Sequence, residues 1–222
     1  MKKFAIIVAG GSGSRMKSEL PKQFIAVNRL PILMHTLQAF HSYSSQVTLI
    51  LVLPAAHLDF WKSLCVQHSF LLSHRLVAGG ETRFHSVKNG LAAIDDSQGL
   101  VAVHDGVRPV ISAEIISQGY ITAERAGTAV TSVPLKDSIR MVKSEGGNQA
   151  LDRSNFLLIQ TPQTFRLDWM RNAFAQPYQQ HYTDCASVLE AAGHCIELIP
   201  GAYENIKITT PEDLEWASVF LK

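Results

Sequence analysis

The chain has 222 residues, 46% of them hydrophobic, and balances 20 Lys+Arg against 19 Asp+Glu for a net charge of +1 with neutral histidine. That length suits one domain, residues 1–222, and the composition excludes a disordered tail protein. The charge balance excludes a general nucleic-acid binder, whose affinity comes from excess cation, so any positive site has to be a local cluster. Cys65, Cys185 and Cys195 are odd in number and lack C-x-x-C spacing. They argue against a disulfide framework or zinc knuckle and for a reducing, cytoplasmic setting. The start Met1-Lys2-Lys3 has too short an apolar run after it for a signal peptide. No apolar run approaches the roughly 20 residues that cross a bilayer, so no membrane partner is expected.

In chain order, Phe4 to Ala9 is a short apolar run ended by Gly10-Gly11, the pattern of a strand buried on both faces. Val47 to Leu53, Leu100 to Val103 and Thr128 to Val133 repeat it; 156–159 and 196–199 are weaker strand candidates. Helical spacing runs over 31–40, 57–68 and 82–94. Ser112 caps a helix to Ala126, and Thr210-Pro211-Glu212-Asp213 opens a last one. Strands alternating with helices predict an α/β fold, a doubly wound, mostly parallel sheet with its ligands at the carboxyl ends of the strands. Residues 136–153 are polar around Gly146-Gly147 and too long for a structureless connection. A β-hairpin arm explains them. A lone hairpin is marginal in water, so this one is expected to pack on a second copy of the chain.

The turn after the first strand, Ala9 to Met16, is glycine-rich and carries Arg15, with Lys22 in Pro21-Lys-Gln23 just beyond. Exposed backbone N–H groups in such a loop cradle phosphate oxygens, and two adjacent cations suit a triphosphate. A tight turn with surface cations is the plainer alternative. Met16 stands where a dinucleotide fingerprint needs glycine, and no Gly-Lys-Ser/Thr occurs, which disfavours a Rossmann cofactor site and a P-loop. In His104-Asp-Gly-Val-Arg-Pro109, Asp105 follows a strand, where a carboxylate can hold Mg²⁺ or merely cap a turn and pair with Arg108. Lys207, in Glu204-Asn-Ile-Lys-Ile-Thr209, alternates with apolar residues as a solvated edge-strand lysine does, unless the sheet aims it into the cleft. Asp152-Arg153, Thr161-Pro-Gln163 after a strand, Thr183-Asp184 opening a helix, and Gly79-Gly-Glu-Thr-Arg83 with Ser86 complete the candidates. No G-x-S-x-G appears, which disfavours a serine hydrolase.

Taken in order and spacing, these segments resemble the 2-C-methyl-D-erythritol 4-phosphate cytidylyltransferase family across essentially the whole chain. The resemblance implies a nucleotide-diphospho-sugar transferase-like fold with a protruding β-arm that exchanges contacts in a homodimer. It implies transfer of a cytidylyl group from CTP to a sugar-alcohol phosphate with Mg²⁺, releasing pyrophosphate. By position, Arg15, Lys22 and Lys207 would stabilise the triphosphate and the transition state, and Asp105 would serve the metal. Gly80, Glu81 and Ser86 would meet the cytosine, while backbone groups at Ala9, Gly10, Gly11, Gly13 and Gly106 would hold base and ribose. Asp105, Arg108, Ser138, Thr161 and Thr183 would serve the acceptor, and Arg153 of the partner's arm its phosphate. Gly106-Val107 replaces two alanines common in the family, Ser138 a threonine, and Cys185 an acid; Cys185 is read as a small helix residue and not a redox switch.

The chemistry is consistent with these residues. The nucleophile is a phosphate oxygen already ionised at neutral pH, so the obstacle is repulsion between anions, answered by positioning and positive charge. Three rival readings remain: a cytidylyltransferase for ribitol 5-phosphate or another alditol phosphate, a non-catalytic nucleotide-binding module, and an NAD-dependent oxidoreductase.

Overall fold

The structure is a computed structural model that describes residues 1–11 and 20–221. Strand β1 (Lys3–Val8) is followed by a 3₁₀ turn at Lys22–Phe24, the short pair β2 (Ala26–Val27) and β3 (Leu30–Pro31), and helix α1 (Ile32–Tyr43). Then come β4 (Thr48–Leu53), α2 (Leu58–Gln67), β5 (Arg75–Ala78), α3 (Arg83–Ala92), β6 (Leu100–Asp105), α4 (Ala113–Ala126) and β7 (Thr128–Pro134). A hairpin, β8 (Ile139–Val142) with β9 (Asn148–Leu151), precedes β10 (Leu157–Arg166), α5 (Leu167–Ala175), α6 (Cys185–Ala191), β11 (Leu198–Pro200) and α7 (Pro211–Phe220).

Seven strands form the central sheet in the order β11-β7-β10-β6-β1-β4-β5. All neighbours are parallel except β10, which runs antiparallel to both β6 and β7. Alternation along β1 divides the core. Ala5 and Ile7 face α1, α2 and α4 with Leu37, Trp61 and Tyr120, while Phe4, Ile6 and Val8 face α3, α5 and α6 with Val87, Phe174 and Leu189. The chain leaves β1 toward β4 and β5, then returns to lay β6 on the other side of β1. This makes the carboxyl ends of β1, β4 and β6 a topological switch point. Val8 is in register with both Val52 and Asp105, so the glycine turn begins level with Asp105.

Local signals explain the helix starts. The Thr82, Ser112 and Asp184 side chains accept backbone N–H groups at the starts of α3, α4 and α6, and Thr210 and Asp213 form a capping box on α7. Gly127 ends α4 at φ 87°, and a Cβ there would lie 2.2 Å from the Trp169 ring. Residues 136–153 do form a hairpin arm, turning at Gly146 and Gly147 with φ of 92° and 80°. Among the described residues no helix is long and apolar enough to cross a membrane.

Two expectations need correction. The segment at 156–159 continues as a ten-residue strand through Thr161-Pro162-Gln163, which is therefore inside β10 and not in a turn after it. The chain passes Pro162 with a cis peptide bond at a register shift between Ile159 and Gln163. The strand expected at 196–199 is Leu198–Pro200. Strand β5 and helix α5 carried no recognised signal: β5 is a short, partly exposed edge strand, and α5 starts directly at the end of β10 without a capping side chain.

Strand β6 buries His104 completely, its Nε2 3.0 Å from the Arg108 carbonyl and its ring against Phe40. Burial pushes its pKa down to about 4. Between about pH 6.5 and 4 the unfolded chain binds a proton that the folded chain refuses, so stability falls as pH falls through that window. The full difference is about 3 kcal/mol. Urea unfolding from pH 7 to 4.5 is expected to show this loss in the native chain and a flatter dependence in His104→Gln; parallel pH dependences would assign the loss elsewhere.

Candidate active site

Asp105, the last residue of β6, is the centre of the site. Its N–H donates to Thr161 Oγ1 at 3.0 Å, which fixes its backbone against β10. Its nearly buried carboxylate faces three cations: Lys207 Nζ at 2.9 Å from Oδ2, Arg108 Nε at 3.6 Å from Oδ2, and Arg83 Nη2 at 3.5 Å from Oδ1. Burial alone would raise its pKa, but Arg83, Lys207 and Arg108 outweigh it and hold the carboxyl well below the usual carboxylate range. Asp105 is therefore an anion, and the cluster keeps two net positive charges.

The segment carrying Lys207 is extended but is not a strand of the sheet. Ile208 N–H bonds to the Val107 carbonyl at 2.9 Å, and the Ile208 carbonyl accepts from Lys22 Nζ at 2.9 Å. The edge-strand reading of Lys207 fails for this reason: the backbone is tied to the turn after β6, which points the ammonium at Asp105. Lys22, itself buried, is drawn to the same place although 185 residues separate it from Lys207.

A cleft of about 270 Å³ opens here, lined by Ala9, Gly10, Gly11, Lys22, Gly80, Glu81, Ser86, Asp105 and Lys207 among others. Its far wall is the Gly79-Gly80 turn. Gly79 N–H bonds to Leu53 O at 2.7 Å and Gly80 N–H to Ser86 Oγ at 3.1 Å. A Cβ on Gly80 would sit 2.4 Å from His85 Cβ, so only glycine lets the turn press on α3. A second pocket of about 250 Å³ adjoins it, lined by Arg108, Thr161, Thr183 and Asp184 together with Arg83, Asp105 and Lys207, which line both.

Of the candidates, Lys22, Lys207, Asp105, Ala9, Gly10, Gly11, Gly80, Glu81 and Ser86 share the first cleft, and Arg108, Thr161 and Thr183 join Asp105 and Lys207 in the second. Gly106 stands apart from both linings. Its N–H is given to Val8 O and its carbonyl accepts from Thr36 Oγ1, beneath the cleft. Gly13 and Arg15 lie outside the described residues. Ser138 and Arg153 are exposed on the arm, away from both pockets of their own chain, with Arg153 donating to the Lys136 carbonyl.

Three residues of the site had been given no role: Arg83, Gln163 and Asn205. Gln163, buried in β10, donates to Asp184 Oδ2 at 2.8 Å and accepts from Cys185 and Ala186 N–H, which ties the start of α6 to the sheet. Asn205 donates to Gln160 Oε1 and Thr161 O, and its own carbonyl takes Arg108 Nη1 at 2.7 Å. Each sits inside a quoted motif, beside a more conspicuous neighbour. Cys185 is fully buried at the first position of α6; burial pushes its thiol up, against the pull of Arg83.

No three His, Cys, Asp or Glu side chains cluster as metal ligands among the described residues. Among the described residues, Asp105 alone offers a carboxylate to both pockets. One carboxylate completed by substrate phosphates and water is a donor set that suits Mg²⁺, so the residues present fit that ion.

Known proteins resemble this chain along essentially its whole length. A chain from Bacteroides thetaiotaomicron, a 2-C-methyl-D-erythritol 4-phosphate cytidylyltransferase, is 47% identical over 221 residues and all of both chains. One of the same name from Porphyromonas gingivalis is 48% identical, covering 99% of this chain and 98% of its own. Among solved structures, the Francisella tularensis 2-C-methyl-D-erythritol 4-phosphate cytidylyltransferase superposes with a TM-score of 0.81 at 31% identity over 100% of both chains. The Anaerococcus prevotii 4-diphosphocytidyl-2C-methyl-D-erythritol synthase does so at 0.82 and 29% identity, covering 98% of this chain and 95% of its own. With the family model for IspD, 2-C-methyl-D-erythritol 4-phosphate cytidylyltransferase, matching residues 4–222, the chain belongs to that family.

Proposed function

We propose that this chain transfers the cytidylyl group of CTP to 2-C-methyl-D-erythritol 4-phosphate, giving 4-diphosphocytidyl-2-C-methyl-D-erythritol and pyrophosphate. The observation that carries the reading is the pair of adjoining pockets meeting at Asp105 under three cations. CTP occupies the glycine-lined cleft, with its base toward Gly80 and Ser86 and its phosphates toward Lys22 and Lys207. The acceptor occupies the second pocket, with its hydroxyls toward Asp105, Arg108 and Thr183. An acceptor phosphate oxygen attacks the α-phosphorus, and the bond from that phosphorus to the bridging oxygen breaks, its electron pair leaving with pyrophosphate. No proton has to move. The work of the protein is to hold two anions in line and spread the charge that builds on the phosphoryl oxygens. Lys22, Lys207 and Arg15 supply positive charge, and Asp105 aims Lys207. Mg²⁺, held by Asp105 and phosphate oxygens, would neutralise triphosphate charge and steady the leaving group.

The working form is a homodimer in the cytoplasm. On the arm the chain exposes Met141 and Val142, and just after it the run Phe156 to Ile159, each at least two-fifths accessible. An apolar surface exposed to that extent is normally covered. A second copy covering it would bring Ser138 and Arg153 to the acceptor pocket of its partner. The free thiols Cys65, Cys185 and Cys195 suit a reducing compartment.

Pyrophosphate release with CTP, Mg²⁺ and a panel of alditol phosphates is expected to favour methylerythritol phosphate; preference for ribitol 5-phosphate would replace the acceptor assignment. Lys207→Ala should keep the fold and lose about a hundredfold to a thousandfold in kcat, as removal of a preorganised donor does. Undiminished turnover there would remove its role. Arg153→Ala should raise KM for the acceptor more than for CTP, in a protein that light scattering finds dimeric; equal rises, or a monomer, would count against the exchanged arm.

A further inference from the structure

We propose that Arg83 is a further catalytic cation, and that its guanidinium leaves Asp105 to bind oxygens of the phosphoryl group being transferred. The inference rests on the cytidylyl-transfer reading and adds to the three cations assigned there.

Position is the first argument. The reacting phosphorus belongs to the nucleotide and the attacking oxygen to the acceptor, so the reaction has to occur where their pockets meet. Among the described residues, three side chains line both pockets: Asp105, Lys207 and Arg83. Asp105 is an anion and Lys207 already has a role, which leaves a guanidinium at the junction with none.

The second argument is how loosely Arg83 is held. Lys207 lies 2.9 Å from Asp105, and Arg108 is fastened to the Asn205 carbonyl at 2.7 Å. The Arg83 guanidinium meets Asp105 at 3.5 Å, beyond the 2.7–2.9 Å of a strong charge-assisted bond. Its hydrogen bond among the described residues is 3.4 Å long, to Cys185 Sγ, a weak acceptor. A rigid five-donor fork with weak partners in a largely enclosed site keeps its capacity for a better one. Phosphate oxygens match that fork in charge and in geometry.

The third argument is that the base of the side chain is fixed while its tip is not. Arg83 is the first residue of α3, just after the Thr82 cap, and the next residue, Phe84, is buried against Phe174. The fork therefore pivots from a firm point. Burial works against its charge, but the Asp105 and Asp184 carboxylates favour it, and a guanidinium stays protonated in a protein. As the acceptor oxygen bonds to the α-phosphorus and the bond to pyrophosphate breaks, charge on the equatorial oxygens grows, and a bidentate guanidinium meets it without a proton transfer.

The test compares Arg83→Ala and Arg83→Lys with the native protein in the CTP and methylerythritol phosphate assay. CTP affinity is measured by calorimetry and melting temperature by scanning. Arg83→Ala is expected to lose about a hundredfold or more in kcat while CTP affinity changes by less than about tenfold. Its melting temperature should hold, and guanidinium at sub-denaturing concentration should restore part of its turnover while leaving the native rate unimproved. Arg83→Lys should fall between the two, and it decides the matter should the alanine variant not fold. A kcat within about threefold of native would overturn the assignment. So would a joint loss of turnover, CTP affinity and melting temperature without guanidinium rescue and with Arg83→Lys no better. A native chain inert toward CTP and the whole acceptor panel would overturn the transfer reading along with it.

Discussion

One buried carboxylate holds the site together. Asp105 would be costly to bury charged and alone, and Arg83, Arg108 and Lys207 would repel one another if gathered without it. Together they offset part of one another's burial cost and still carry an excess of positive charge. That excess suits the site to substrates that are themselves anions. Each cation is anchored differently, Lys207 by the carboxylate itself, Arg108 by Asn205 and Arg83 by α3, so the partners of Asp105 can exchange without the cluster dispersing.

The fold puts this cluster at the switch point of the sheet, where β1, β4 and β6 end level with one another. Hydrophobic burial on both faces makes those strands rigid, and the turns beyond them are free to carry polar groups. Two contacts convert a general crevice into a specific one. Gly80 presses the wall of the cleft onto α3, and the 206–209 segment is tied at once to Val107 and to Lys22. The antiparallel β10 lines the second pocket with Thr161 and Gln163, and the hairpin arm precedes it in sequence.

Much of the architecture was legible because its causes are local. Apolar runs stopped by glycine or proline marked the central strands, and Ser112 and Thr210 marked helix starts through side-chain capping within one turn. The glycine pair at 146–147 identified the hairpin, since both residues take the left-handed backbone that such a turn requires. The place of Thr161-Pro-Gln163 inside a strand was not legible, because the sheet continues past Pro162 on the strength of pairing on both sides.

By itself, the sequence determined the strand and helix pattern, the glycine-rich turns and the ordered motifs that mark the family. These are properties of neighbouring residues, or of order along one chain. Tertiary structure decided the rest: that Lys207 points inward, that Lys22 joins it, and that Arg83 stands between two pockets. Nothing within a few residues of Lys207 distinguishes a solvated lysine from one facing a buried aspartate. That difference arises from a single backbone bond to Val107, about a hundred residues earlier in the chain.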